Sequence, residues 1–218
     1  METSSAPFKD RHEAGERLAV ALEMFRVTNP IVLGLPRGGV PVASEVALAL
    51  GAPLDVLVVR KLGVPFRREL AMGAIGEGDA LVVDNELIKA LGVKAGDLQR
   101  IVGEERAELD RRVLRYRCHR PMQPLAGRTV IVVDDGIATG STARAALQVV
   151  RSQHPQRVVM AAPVAAPDAV MLLRHEADEV VVLEQPTRFG AVGAWYENFD
   201  QTTDDEVVRL CSQSGSTE

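Results

Sequence analysis

Residues 132–143 read VVDDGIATGSTA and restrict what this chain can fold into more than any other stretch. An apolar β-branched run, Thr129–Val133, leads directly into Asp134 and Asp135. A loop of small residues follows, Gly136–Ile137–Ala138–Thr139–Gly140–Ser141–Thr142, and then an Ala-rich segment. β-branched residues suit a strand and alanine suits a helix, so the local order is strand, acid pair, loop, helix. Such a junction is equipped for a phosphorylated sugar. Loop N–H groups and hydroxyls at the helix N-terminus can cradle a phosphate. The two carboxylates can bind sugar hydroxyls, directly or through Mg²⁺. An ordinary strand-to-helix turn with a hydroxyl cap explains Ser141 or Thr142, but gives no reason for paired acids at the strand end.

The rest of the chain embeds this junction in an α/β alternation. Apolar residues at helical spacing predict a helix over Arg11–Phe25, and Ile31–Leu33 reads as a short strand after Pro30. A helix is expected over Val40–Leu50 and a second apolar strand over Leu54–Val59. Strand, loop, helix and strand in that order indicate a parallel sheet, and continuous apolar runs suit strands buried on both faces. Residues 60–83 carry Gly63, Pro65, Gly73, Gly76 and Gly78 among polar residues and read as a mobile hairpin or lid, with Leu81–Val83 as its returning strand. Asp84 or Asn85 is placed to cap a short helix, Glu86–Leu91, and Ala95–Tyr116 reads as a long charged helix. The alternation resumes with helix Ser141–Arg151, strand Arg157–Ala161, helix Asp168–His175, strand Glu179–Leu183 and a last helix over Asp204–Cys211.

Bulk properties narrow the function classes. The 218 residues are 46% hydrophobic, enough for one sizeable core, so a single domain over 1–218 is expected. A net charge of −5 argues against nucleic acid as a partner. Cys118 and Cys211 form no metal or disulfide spacing, which fits a reducing, cytoplasmic setting. The N-terminus shows no apolar leader, and no run reaches membrane-spanning length.

A second candidate loop follows the first strand: Gly34–Leu35–Pro36–Arg37–Gly38–Gly39. An arginine flanked by glycines lets backbone amides and a guanidinium converge on one anion. Arg60 and Lys61 form a basic pair after the second strand, either an anion clamp or a solvated turn. Arg67 and Arg68 lie further on, with Glu69 and Glu77 as the lid acids. Near the C-terminus, Phe189, Trp195, Tyr196 and Phe199 form an aromatic cluster that either packs on itself or offers a flat surface to a ring. Arg111, Arg112, Arg115, Arg117 and Arg120 follow a run of acids, and helical ion pairs on a solvated face explain them adequately.

The segment Val132–Ala143 resembles the phosphoribosyl-pyrophosphate (PRPP) binding motif of type I phosphoribosyltransferases. The GLPRGG loop, ELAMGAI at 69–75 and AVGAWY at 191–196 extend the resemblance over residues 10–210, nearest to a poorly characterised group of that family. It implies an α/β fold with a twisted, mainly parallel sheet flanked by helices, a flexible lid at about 62–80 and a small C-terminal hood at about 185–212. It implies transfer of the 5-phosphoribosyl group from PRPP, with Mg²⁺, to a nitrogenous base and release of pyrophosphate.

Carried onto this chain, the 5′-phosphate falls to Thr139–Thr142 and the ribose diol and metal to Asp134 and Asp135. The diphosphate falls to Pro36, Arg37, Gly38 and Gly39, with a non-proline cis bond at Pro36–Arg37. Arg60, Lys61 and Arg67 become PRPP contacts, and Trp195 or Tyr196 the surface for the acceptor base. Ala138 stands where 6-oxopurine enzymes carry an aspartate, so those bases are not favoured. A homodimer is expected by the same resemblance, and a non-catalytic PRPP or nucleotide regulator is the competing reading.

Overall fold

The computed structural model describes residues 8–65, 67–78, 80–117 and 120–213. Cys118 and the side chains of Arg68 and Glu69 lie outside the described residues. The chain runs α1 (Arg11–Leu22), a 3₁₀ turn (Glu23–Thr28), β1 (Ile31–Gly34), α2 (Gly39–Leu50), β2 (Leu54–Val56), β3 (Arg60–Val64), β4 (Arg67–Ile75), β5 (Leu81–Val83), α3 (Asn85–Ala90) and α4 (Ala95–Arg117). It continues with β6 (Thr129–Val133), α5 (Ser141–Arg151), β7 (Arg157–Val164), α6 (Pro167–Leu173), β8 (Glu179–Glu184), a second 3₁₀ turn (Val192–Trp195) and α7 (Asp204–Gln213). No helix among the described residues is long and apolar enough to cross a membrane.

Five strands form a parallel sheet in the order β2-β1-β6-β7-β8. Every residue of β1 and β6 is buried, as their continuous apolar runs require. Their side chains feed two cores alternately. Ile31, Leu33, Val130 and Val132 join α5 and α6 on one face. Val32, Ile131 and Val133 join α1 and α2 on the other. Register pairs Leu33 with Val132 and Gly34 with Val133, so the two strands end side by side. From β1 the chain goes to β2 on one side, while β6 lies on the other. That reversal of strand order opens a crevice at the carboxyl ends of β1 and β6.

The helix ends follow local chemistry. Asp10 caps α1 by accepting from the N–H groups of His12 and Glu13. Asp84, one of the two expected caps, does the same for α3 through Leu87. The left-handed Gly51 closes α2.

The segment expected to be a hairpin or lid forms an antiparallel hairpin of β3 and β4, and the expected returning strand, Leu81–Val83, adds β5 to give the order β3-β4-β5. The strand expected over Leu54–Val59 also stops at Val56, and β3 begins at Arg60. Period-two burial of Leu62 with Val64 and of Met72 with Ala74 builds the strands despite the glycines, with the register shifting around Gly63. Leu62, Met72 and Ile75 pack with Leu109 and Tyr116 of α4 and Val207 of α7 in a third apolar cluster.

The arginine-rich stretch divides by position. Arg111 and Arg112 make the expected helical pairs with Glu108. Arg115 crosses to Asp204 on α7. Arg117 is buried, with 2% of its side chain exposed. It donates to Asp55 of β2 at 2.9 Å, to the Val56 carbonyl at 2.5 Å, and to Glu77 in the turn between β4 and β5. One cation thus faces two acids, and Oε1 of Glu77 is buried without a hydrogen-bond partner among the described residues.

Burial pushes the Glu77 carboxyl up from 4.5 to about 7 against the pull of Arg117, with Asp55 and Asp110 adding repulsion. A carboxyl raised on folding holds its proton while the unfolded chain has lost it, so stability falls as pH rises between these two values. The rise corresponds to about 3 kcal/mol at ~1.4 kcal/mol per tenfold. Thermal unfolding from pH 5 to pH 8 is expected to show the wild type losing roughly 2–3 kcal/mol relative to Glu77→Gln. Parallel curves for the two proteins would contradict this charge assignment.

Candidate active site

The acid pair sits in the crevice where β1 and β6 end. Asp134 follows β6 directly, and its Oδ1 accepts from the Asp135 N–H at 3.0 Å. Burial, with the neighbouring Asp135 charge added, holds the Asp134 carboxyl well above the usual carboxylate range. Burial also raises Asp135, opposed by Arg11.

Beyond the pair the chain turns through a loop pinned at both ends. Ile137 is buried and bridges to Ala165 beyond β7. Gly140 adopts φ 73°, a left-handed conformation that glycine enters without strain, and immediately precedes α5. Ala138 and Thr139 are exposed, and the hydroxyls of Thr139 and Ser141 lie 3.2 Å apart. A cavity of about 190 Å³ is lined by Asp134 and the loop Gly136–Ala143, with Val192 of the second 3₁₀ turn as its far wall. A Cβ on Gly136 would collide with the Val192 side chain, so this glycine lets the C-terminal segment close on the loop.

The turn Pro36–Gly39 meets the acids from the β1 side. Its Pro36–Arg37 bond is cis, as expected from sequence. A Cβ on Gly39 would lie 2.6 Å from the Val133 carbonyl and 2.8 Å from the Asp134 Cα. A Cβ on Gly38 would overlap Asp135 Oδ2. Both glycines are therefore required for close approach of backbone to carboxylates. Arg37 is half-buried, and its side chain makes no hydrogen bond or ion pair with a described residue.

The remaining expected residues divide between the site and its surroundings. Lys61 reaches the loop, with Nζ 3.1 Å from the Ser141 hydroxyl. Arg60 turns away and pairs with Glu105 of α4 at 2.6 Å. Between them a cleft of about 600 Å³ runs from Lys61 along β3 and α4. Arg67 is exposed at the start of β4 opposite Val64, without a hydrogen bond or ion pair to a described residue. Trp195 is half-buried and donates from its indole N–H to the Phe189 carbonyl at 3.1 Å.

Tyr196 corrects the expectation of an open stacking surface. Its ring is buried between Phe8 and Phe199, with centroids at 5.5 and 5.0 Å, and its hydroxyl donates to the Asp135 carbonyl at 2.5 Å. Burial with nearby carboxylates pushes its hydroxyl far up, so it stays a donor.

Arg11 was missed by the sequence reading. Its Nε donates to Asp135 Oδ2 at 2.8 Å, and one terminal nitrogen donates to the Asp200 carbonyl at 2.7 Å. The guanidinium lies 3.9 Å from the Phe199 ring centroid. The legible signal was its position. A cation in the first turn of α1 opposes the helix dipole, so another interaction has to account for it.

Metal chemistry has a limited donor set. No cluster of three His, Cys, Asp or Glu side chains suited to a metal ion occurs among the described residues. One or two carboxylates suit Mg²⁺, which keeps several waters, better than they suit an ion that needs an all-protein cage.

Comparison with known proteins adds three findings. The family model of the phosphoribosyl transferase domain matches residues 76–198. Two Mycobacterium tuberculosis proteins, named Putative phosphoribosyl transferase Rv0571c and Putative phosphoribosyl transferase MT0597, are each 51% identical over 207 residues. The match covers 95% of this chain and 47% of each relative, so the chain spans about half the length of the curated relatives it matches. The crystal structure of TT1426 from Thermus thermophilus superposes with a TM-score of 0.89 at 46% identity, covering 95% of this chain and 98% of that one.

The glycine contacts make a direct prediction. Gly39→Ala forces a methyl against backbone that cannot yield, and is expected to cost about 1–3 kcal/mol. Gly127→Ala, whose Cβ meets nothing within 4 Å, carries only the strain of φ 69°. Urea unfolding midpoints compare the two, and a Gly39→Ala midpoint equal to wild type would contradict the close approach.

Proposed function

The chain belongs to the phosphoribosyl transferase family, and from that membership we propose a PRPP-dependent transferase. It moves the 5-phosphoribosyl group to a nitrogenous base and releases pyrophosphate. The observation that carries this reading is the convergence of two strand-end loops at one crevice. Asp134 and the loop Gly136–Ala143 line the cavity after β6. The Arg37–Gly39 turn after β1 lies against the same acid.

In this reading the 5′-phosphate binds to the loop Gly136–Thr142. Thr139, Ser141 and Thr142 supply hydroxyls, the start of α5 supplies N–H groups, and Lys61 supplies a cation beside Ser141. Asp134 meets the ribose hydroxyls from the cavity wall. The diphosphate lies against the turn Pro36–Gly39, where the Gly39 N–H is held by the Leu35 carbonyl and the Arg37 guanidinium is free to pair with the anion. Asp134, with Asp135 beside it, and the diphosphate oxygens would hold Mg²⁺, which supplies neutralisation of the leaving group's charge.

The chemistry is a substitution at C1′. The bond from C1′ to the diphosphate oxygen breaks, and its electron pair leaves with pyrophosphate. The acceptor nitrogen then bonds to C1′ and gives up its proton to solvent. Positive charge grows on the ribose ring between these events, and a carboxylate held nearby stabilises it. The acceptor enters beside Ala138 and the Val192–Trp195 turn. A methyl at 138 takes part in no proton transfer, so 6-oxopurines are not favoured. Of the two aromatic candidates Tyr196 is enclosed, and half-buried Trp195 is the one left for a base to meet.

Pyrophosphate release from PRPP and Mg²⁺ across a panel of bases tests the reading. One base is expected to stimulate release, hypoxanthine only weakly, and Asp134→Asn is expected to lower the rate about 100-fold or more. PRPP binding without release for any base would indicate a sensor instead. Equal turnover of hypoxanthine and the best other base would overturn the inference from Ala138.

A further inference from the structure

The hairpin of β3 and β4 leaves the parallel sheet after Val56 and returns at Gly76, with Arg60 and Ile75 paired at its base. One buried guanidinium spans both roots. Arg117 Nε donates to Asp55 Oδ1 at 2.9 Å, and a terminal nitrogen donates to the Val56 carbonyl at 2.5 Å, both just before the hairpin. Its other terminal nitrogen donates to Glu77 Oε2, just after it. Arg106, also on α4, donates to the carbonyls of Gly76 and Gly78 at 2.6 and 2.7 Å. The second root also rests on α5, because a Cβ on Gly76 would overlap the Val149 side chain. That helix begins at Ser141, whose hydroxyl Lys61 of β3 reaches at 3.1 Å.

The two halves of this bridge differ. Asp55 is engaged at both oxygens: Oδ1 also accepts from the Val56 N–H at 2.8 Å, and Oδ2 accepts from the Gln123 N–H at 3.2 Å. Glu77 gives one oxygen to Arg117, and the other is buried without a hydrogen-bond partner among the described residues. Around Glu77 stand Arg117, Arg106 and Asp110 of α4 and Asp55 of β2. An acceptor left unsatisfied beside two like charges makes the Glu77 root the weaker half.

We propose that Arg117 is a positioning residue: it clamps the two roots of the hairpin and so fixes the reach of Lys61 to Ser141, with Glu77 as the half of the clamp that opens. Arg117 acts through the direction in which β3 leaves the main sheet and touches no ligand itself. Arginine suits the task because its planar fork holds both roots at once, whereas a lysine ends in a single ammonium group. The ligand used to test the clamp rests on the phosphoribosyl reading; the clamp itself does not.

Three measurements on the full chain test this: amide hydrogen exchange over β3 and β4, the rate at which acetic anhydride acylates Lys61 by peptide mass spectrometry, and affinity for PRPP with Mg²⁺ by calorimetry. Replacing Arg117 would leave two acids buried without their cation, so the variants are made at Glu77. Glu77→Ala cuts one root, and exchange over β3 and β4 is expected to rise about tenfold. Lys61 is then acylated faster and PRPP binds several-fold more weakly. Burial, opposed by Arg117, holds the Glu77 proton up to about 7. At pH 8 Glu77→Gln therefore removes a buried charge while keeping an oxygen for Arg117, and exchange and acylation are expected at or below the wild-type rates. In a Lys61→Ala background Glu77→Ala still raises exchange but weakens PRPP no further, because the clamp acts on the ligand through Lys61. General loss of structure would weaken binding in both backgrounds alike. The proposal fails if either exchange or Lys61 acylation in Glu77→Ala matches the wild type. It also fails if Glu77→Ala weakens PRPP equally with and without Lys61. If the wild type binds no PRPP, the proposed function falls, and exchange and acylation decide the clamp by themselves.

Discussion

Two adjacent carboxylates at the end of a buried strand carry a desolvation cost that the surrounding structure has to offset. Here the offset comes from one guanidinium, that of Arg11, and from the Asp135 N–H that Asp134 accepts, while two glycines let the turn after β1 pack against the acids. Much else in the site follows from this contact. The start of α1 is held over the ends of β1 and β6, and the C-terminal segment is drawn in through Asp200, Phe199 and Tyr196. The cavity beside Asp134 is closed by Val192 because Gly136 leaves room for it. Electrostatics at one strand end thus sets the position of segments nearly 190 residues apart in sequence.

A second buried charge group does comparable work for the antiparallel sheet. Arg117 ties the β4–β5 turn to β2 through Glu77 and Asp55, and Arg106 holds the same turn through the carbonyls of Gly76 and Gly78. Below these contacts lies the apolar cluster of Leu62, Met72, Ile75 and Leu109. The segment that carries Lys61 to the loop after β6 therefore starts from a packed base. Lys61 lines the cleft along β3 and α4 and also reaches the Ser141 hydroxyl.

The legibility of the site varied with the range of the interaction. The cavity lined by Asp134 and the loop Gly136–Thr142 was readable because a strand, an acid pair and a small-residue loop are contiguous in sequence. The GLPRGG turn was readable for the same reason, and its glycines prove to be needed for contact with carboxylates about a hundred residues away in sequence. Arg60 and Lys61 looked alike as neighbours in sequence, but alternation along β3 sends one to Glu105 and the other to Ser141. Tyr196 looked like an open ring until Phe8 and Phe199 enclosed it.

What the sequence determined by itself is the parallel α/β sheet and the chemistry at its strand ends. Hydrophobic periodicity and small-residue turns act over a few residues and leave a local record. Tertiary structure alone decided that the hairpin in segment 60–83 packs on α4 and α7, and that Arg117 is a buried tie. It also decided that Asp135 pairs with Arg11 beside a cavity that Asp134 helps to line. Those outcomes depend on which distant groups share a desolvated space. A charge's partner in such a space is set by the packing of whole elements, which no short stretch of sequence records.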